Sequence, residues 1–453
     1  MFWLLIATLL IPLYLARMAT RRLLNPSSLL IAWWSLWLVL GRHPFFDLYV
    51  PSDGTYALLI LSVHGWCLGF CAACRVPGRM PVAAPGARVS LLNYLVGLPR
   101  ISRPLLLVLA GCAIFLTFGA LRTIGLLGQD GGRWEARAEY YASGGATAFG
   151  SAQLGLLRDI LVKPLLFAIW GIATARAART PRKGNLLFFA AVCTLQVVYD
   201  LTFLGRGQAV SVVLFVALLF LFGGPLQGKH RLALDWRVSR RLVFTLVVIL
   251  LLAAIFVITM SVMKAEGREG ALQYVLARYV TYWMLPFTLF DQRDVILAPD
   301  DPFVYSIGGF LDLLILLGRR FGVEYVVPGR SIDLQVYLPI APDRVGNAFA
   351  TWCIAFYADM GAVGVFLLPL AFGAVVGMVY GQYLRTRQAS FFVLLVFLYQ
   401  ATIMGVLEWQ LSWNEGTCSL LLLVLLAIAR CRNAQIPARA AAKALPSDFG
   451  REP

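Results

Sequence analysis

Charge is scarce in this 453-residue chain: 14% of its residues are Asp, Glu, Lys or Arg, while 60% are hydrophobic. No soluble domain of this length needs so much apolar surface, so that class is excluded. Acid is scarcer than base, 23 residues against 39, which leaves a formal net charge of +16. In so apolar a chain, a basic excess points to membrane-flanking loops and anionic headgroups, not to nucleic acid. No Walker-type glycine loop is present, so nothing cradles a nucleotide, and no cofactor is expected. The long loops hold no acidic cluster with ligand spacing, which argues against a metal. No internal repeat is visible. The first apolar run, Phe2 to Ala16, lacks a preceding basic region and a small-residue cleavage site, and "RMATRR" follows it. It reads as a retained first helix, not a signal peptide.

What is present is a series of apolar runs approaching the roughly 20 residues that cross a hydrocarbon core. They fall near 2–16, 28–41, 55–74, 104–122, 155–175, 185–204, 207–223, 242–263, 361–381, 390–409 and 416–430. The expected fold is therefore an all-α polytopic membrane bundle of about eleven spans. Residues 1–430 would form one transmembrane domain and 431–453 a cytoplasmic tail. If the loop after the first run is cytoplasmic, the alternating short loops hold 24 of the 39 basic residues. The positive-inside rule then puts the N-terminus outside and the C-terminus inside. Cys67, Cys71 and Cys74 sit in "GWCLGFCAACRV" without a neighbouring histidine or carboxylate, and read as small packing residues.

Two long loops, about 123–154 and 264–346, and the short hairpin tip "LGRGQ" face outside in this scheme. Arg206 at that tip works against the charge rule. It either snorkels to headgroups or binds an anion at the outer leaflet. In the first loop Arg133 and Arg137 are spaced to share a helical face, though ordinary solvated patterning accounts for them nearly as well. The second loop carries "GALQYVLARYVTYWMLPFTLFDQ" (270–292), where Tyr274, Arg278 and Tyr282 share a face at helical spacing. It also carries "FVYSIGGFLDLLILLGRRFG" (303–322); both read as helices at the outer mouth of the bundle. "DRVGNAFATWCIAFYADMGAVG" (343–364) offers Arg344, Asn347, Tyr357 and Asp359 at the entrance to a span, with Asp359 either functional or a helix cap. Several outward guanidinium groups suit a phosphate or diphosphate, which they grip by forked, charge-assisted bonds.

The chain resembles the bacterial O-antigen and exopolysaccharide repeat-unit polymerases of the Wzy type. The resemblance rests on "NAFATWCIAFYADMGAVGVFLLPLAFGAVVGMVYG" (347–381), "LGRGQAV" (204–210) and "YVLARYVTYWMLPFTLFD" (274–291), and it extends over about residues 100 to 430. Met360 departs from the family's phenylalanine at that position. The resemblance implies a GT-C-like, metal-independent membrane glycosyltransferase in the bacterial inner membrane. It would join undecaprenyl-diphosphate-linked oligosaccharides on the periplasmic face and release undecaprenyl diphosphate, with a chain-length regulator as a possible partner. Arg206 and Arg278, helped by Arg137 or Arg133, would face the departing diphosphate. Tyr274, Tyr282, Arg344, Asn347 and Tyr357 would contact diphosphate or glycan. Asp359 would be the general base, with Glu408 in "GVLEWQLSW" second.

Two rivals belong to other classes. The related O-antigen ligases depend on a histidine in the large outer loop, whereas the three histidines here are His43, His64 and His230. A lipid-linked oligosaccharide flippase or other transporter would favour charges inside the bundle and two similar halves.

Overall fold

The computed structural model describes residues 1–43, 47–74, 89–126, 146–202, 207–223, 271–296, 305–320, 338–342, 344–346 and 351–431, with scattered positions between 247 and 259. Helices dominate. In chain order they are α1 (Phe2–Thr8), α2 (Leu10–Thr20), α3 (Pro26–Arg42), α4 (Asp53–Ala73), α5 (Leu91–Gly97), α6 (Arg103–Leu126), α7 (Ala146–Phe149) and α8 (Ala152–Leu157). A π-helical turn, Arg158–Val162, joins α8 to α9 (Lys163–Arg179). Then come α10 (Lys183–Leu201), α11 (Gly207–Phe222), α12 (Ala271–Asp291), α13 (Arg293–Ile296), α14 (Gly308–Arg320), α15 (Trp352–Thr386), α16 (Ala389–Met404) and α17 (Asn414–Ile428). Two short antiparallel pairs complete it: β1 (Val89–Ser90) with β4 (Arg430–Cys431), and β2 (Leu338–Ala341) with β3 (Arg344–Gly346).

Five helical stretches among the described residues are long and apolar enough to cross a membrane: Phe2–Thr20, Asp53–Ala73, Arg103–Gly125, Lys183–Leu201 and Trp352–Thr386. The chain is a multi-pass membrane protein of helical type. The expected count of eleven spans and the GT-C-like arrangement are not what the described helices fit. The reason is length: α3, α9 and α16 have 17, 17 and 16 residues, and α17 has 15. Most of the run expected at 242–263 lies outside the described residues.

Helix starts follow local chemistry. Asn25 caps α3, accepting from the Ser28 N–H at 3.0 Å while Ser28 Oγ accepts from the Asn25 N–H at 3.0 Å, and Pro26 opens the first turn. Ser52 caps α4 through the Thr55 N–H. α15 is broken by non-helical backbone at Met360 (φ −147°) and Gly361 (φ 60°), so residues 352–359 form a short helix offset from the long one after it. A left-handed backbone costs little only without a Cβ, which is why glycine stands at 361.

The core is built on α4 against α15. Gly65 and Gly69 on one helix face Gly373 and Gly377 on the other, two small-xxx-small pairs in reciprocal contact. A Cβ on Gly69 would lie 1.9 Å from the Leu370 carbonyl oxygen, and one on Gly373 2.0 Å from that of Trp66. Backbones this close gain dispersion along the whole crossing, and no side chain can be inserted without parting them. Gly69→Leu and Gly373→Leu should therefore each abolish monodisperse protein in detergent. Gly111→Leu, with nothing within 4 Å of its Cβ, should leave the elution profile unchanged. Cys67 and Cys74 are buried in the same crossing region and Cys71 is half-buried, all three free thiols, in keeping with a packing role.

Segments assigned to one side by charge meet at one end of the bundle. β1 pairs with β4, the Asn93 side chain bonds Ser390, and Arg176 Nη1 donates to the Leu95 carbonyl at 2.8 Å. The segments assigned to the other side meet at the opposite end. There the Tyr49 N–H bonds the Ile340 carbonyl at 2.9 Å and the Asp291 carboxylate takes Ser52 and Thr55 hydroxyls at 2.6 Å each.

Candidate functional site

At that second end, a cluster of charged groups is enclosed by helices distant in sequence. The π turn makes half of it. Its extra residue lets the Lys163 N–H bond the carbonyl of Arg158, five residues back, which brings both basic side chains to the same flank. Such turns replace regular helix mostly where a side chain must be re-aimed. Glu415 comes from the first turn of α17 and Tyr199 from the last turn of α10.

The groups lock together as follows. Lys163 Nζ pairs directly with Glu415 Oε2, and Arg158 pairs with Asp159. Arg158 Nη2 lies 3.9 Å from Glu415 Oε1. The buried Tyr199 hydroxyl donates to Glu415 Oε1 at 3.2 Å, with Asp159 Oδ1 a second acceptor at 3.5 Å. The Tyr199 ring lies under both cations, 5.0 Å from Lys163 Nζ and 5.5 Å from the Arg158 guanidinium carbon. Two basic and two acidic side chains share a site only 7% exposed at Arg158. Ionisable groups held at the end of a membrane bundle are costly and commonly functional.

Glu408 borders this cluster. The expected span 390–409 ends earlier than the sequence suggests: α16 stops at Met404, and Glu408 lies in the connection to α17, its N–H bonded to the Met404 carbonyl at 2.9 Å. Desolvation pushes its carboxyl up to about 7, and the Glu415 charge pushes the same way. Lys163 and a hydrogen bond from the Trp413 side chain pull it back. A carboxyl balanced there can accept a proton at neutral pH.

Asp359 is buried and already engaged. The Tyr305 N–H donates to its Oδ1 at 2.9 Å; the Ser306 N–H donates to Oδ2 at 2.7 Å, and the Ser306 hydroxyl donates there too. These bonds run to the turn before α14, so they fasten two segments together, whereas the sequence left Asp359 as either a functional carboxylate or a helix cap. Ser306 is held from the other side as well, its carbonyl accepting from Trp409 Nε1 at 2.7 Å.

Tyr357, two residues earlier, is half-buried, meets Phe290 edge-on at 6.1 Å and faces the Arg293 guanidinium at 5.0 Å. Arg293 also donates to Thr55 Oγ1 at 3.1 Å. Tyr274, Arg278 and Tyr282 lie on α12, whose last three turns pack into the core. Arg344 lies on β3. Arg133, Arg137, Arg206 and Asn347 lie outside the described residues.

The structure therefore joins Asp359, Tyr357 and Glu408 to one end of the bundle. It adds five residues the sequence reading passed over: Arg158, Asp159, Lys163, Tyr199 and Glu415. One signal was available in "LLRDILVKP" (156–164), where three charges interrupt an otherwise apolar entry into a span. The chain matches no known protein-family model, no characterised protein and no solved structure.

Proposed function

We propose that the chain is a metal-independent membrane glycosyltransferase that polymerises undecaprenyl-diphosphate-linked oligosaccharide repeat units into a surface polysaccharide. It would sit in a bacterial inner membrane, with the ionic cluster at the periplasmic face and the C-terminus in the cytoplasm. The observation that carries this reading is Glu408 beside Lys163 and Glu415, at the end where the segments assigned outside converge.

The chemistry is a displacement at the anomeric carbon of the donor sugar. The acceptor hydroxyl oxygen forms the new bond, its proton passes to Glu408, and the bond to the diphosphate oxygen breaks, leaving its electron pair on undecaprenyl diphosphate. Glu408 suits the base role better than Asp359, whose oxygens already accept three hydrogen bonds. The departing anion needs positive charge, which Arg206 and Arg278, with Arg133 or Arg137, would supply. Tyr274, Tyr282, Arg344, Asn347 and Tyr357 would line the glycan path, and a chain-length regulator would set when growth stops. No nucleotide is consumed, because the sugar–diphosphate bond supplies the energy.

One observation favours a second reading, a lipid-linked oligosaccharide transporter: Arg158, Asp159, Lys163 and Glu415 are enclosed between helices, as coupling charges in transporters are. Purified protein reconstituted in lipid vesicles, given lipid-linked repeat units, separates the two. Chain growth with one lipid diphosphate released per new bond is expected. Movement of the lipid-linked unit across vesicles without chain growth would reject polymerisation. In the same assay Arg206→Ala should lower the rate on the order of a hundredfold, about 3 kcal/mol of lost anion stabilisation, and Arg206→Lys less. An unchanged rate in Arg206→Ala would leave that arginine at the headgroups.

A further inference from the structure

We infer that Asp359 is a positioning residue for Glu408, acting through Ser306 and the indole of Trp409. This rests on the reading of Glu408 as the base. Asp359 fixes both the backbone and the hydroxyl of Ser306, and the Ser306 carbonyl takes the Trp409 N–H. Trp409 directly follows Glu408 in the chain. Its ring is set edge-on against Phe356 at 5.1 Å and Phe372 at 4.9 Å, with Trp352 at 6.4 Å. Behind Glu408, the Met404 carbonyl holds its N–H. The carboxyl is thus clamped on both sides in the backbone, and its direction is set by a hydrogen-bonded relay that begins at a buried carboxylate.

The groups facing Glu408 are Lys163 on α9, Glu415 on α17 and Trp413 just before α17, with Arg158 and Asp159 beyond Glu415. A loosened connection would admit water to Glu408 or let it swing towards Lys163. Both movements favour its charged form.

The test is a pH titration of the Glu408 carboxyl by isotope-edited infrared spectroscopy of the full-length protein in nanodiscs, with Glu408→Gln identifying the band. In the wild type the midpoint should lie near 7. Asp359→Asn keeps the shape but not the paired acceptors, and Trp409→Phe keeps the ring but not the N–H. Each should move the midpoint down by about one unit or more. An unmoved midpoint in folded Trp409→Phe overturns the relay, and that variant decides the matter if Asp359→Asn does not fold. Polymer synthesis is read separately, so an inactive wild type would reject the enzyme reading without touching the titration.

Discussion

Lys163→Met should cost more stability than any other single change in the ionic cluster. Lys163 is 12% exposed, and its removal leaves Glu415 beside Asp159 and Glu408 with, among the described residues, the Arg158 guanidinium 3.9 Å away as its remaining cation. Removing one partner of a buried pair typically costs about 3–5 kcal/mol, because the remaining charge is desolvated without compensation. Lys163→Met/Glu415→Met should recover most of that loss, since both charges leave together and Tyr199 keeps Asp159 as an acceptor. Apparent melting temperatures of the two variants and the wild type in one detergent check this. A double variant no better than the single one would mean that Glu415 is held chiefly by Arg158 and Tyr199.

The helices of this protein were legible from apolar runs because a membrane leaves the backbone few alternatives to helix. Their number was not. Runs such as 28–41 and 390–409 do form helices, but several stop at 15 to 17 residues, and the last of these two gives way to a largely buried connection at 405–409. Glu408 illustrates the consequence: read within a span, it looks like an isolated charge near lipid, yet α16 ends four residues before it. The ionic cluster was harder to see for a different reason. Its members come from residues 158–163, 199 and 415, and sequence spacing says nothing about helix ends brought together across more than 200 residues. Asp359 stands out in the sequence as a carboxylate at the entrance to a span, but its partners at 305 and 306 belong to a turn that no periodicity announces.

Glu408→Gln should abolish polymer formation while leaving the protein at least as stable as the wild type. The activity loss is that of a general base, about 10²–10⁴-fold, because glutamine keeps the shape and cannot take a proton. The pH dependence gives the role a signature. A base with its carboxyl near 7 is half charged there, so wild-type activity should rise through neutral pH and fall on acidification. Stability should run the other way. The folded carboxyl binds its proton more tightly than the unfolded one, whose ordinary value is 4.5. Between about 4.5 and 7 the folded state therefore holds more protons, and stability falls as pH rises. Below that window the neutral group costs little; above it the half-buried charge carries the cost of its partial desolvation. Glutamine has no such cost, so the stability advantage of Glu408→Gln should appear above pH 4.5, grow to about pH 7 and then level off. Melting temperatures of both proteins across pH 4 to 9, beside the polymer assay, test the two halves independently. A variant that still makes polymer would reject Glu408 as the base, and an inactive one with no pH-dependent gain would overturn the stability argument alone.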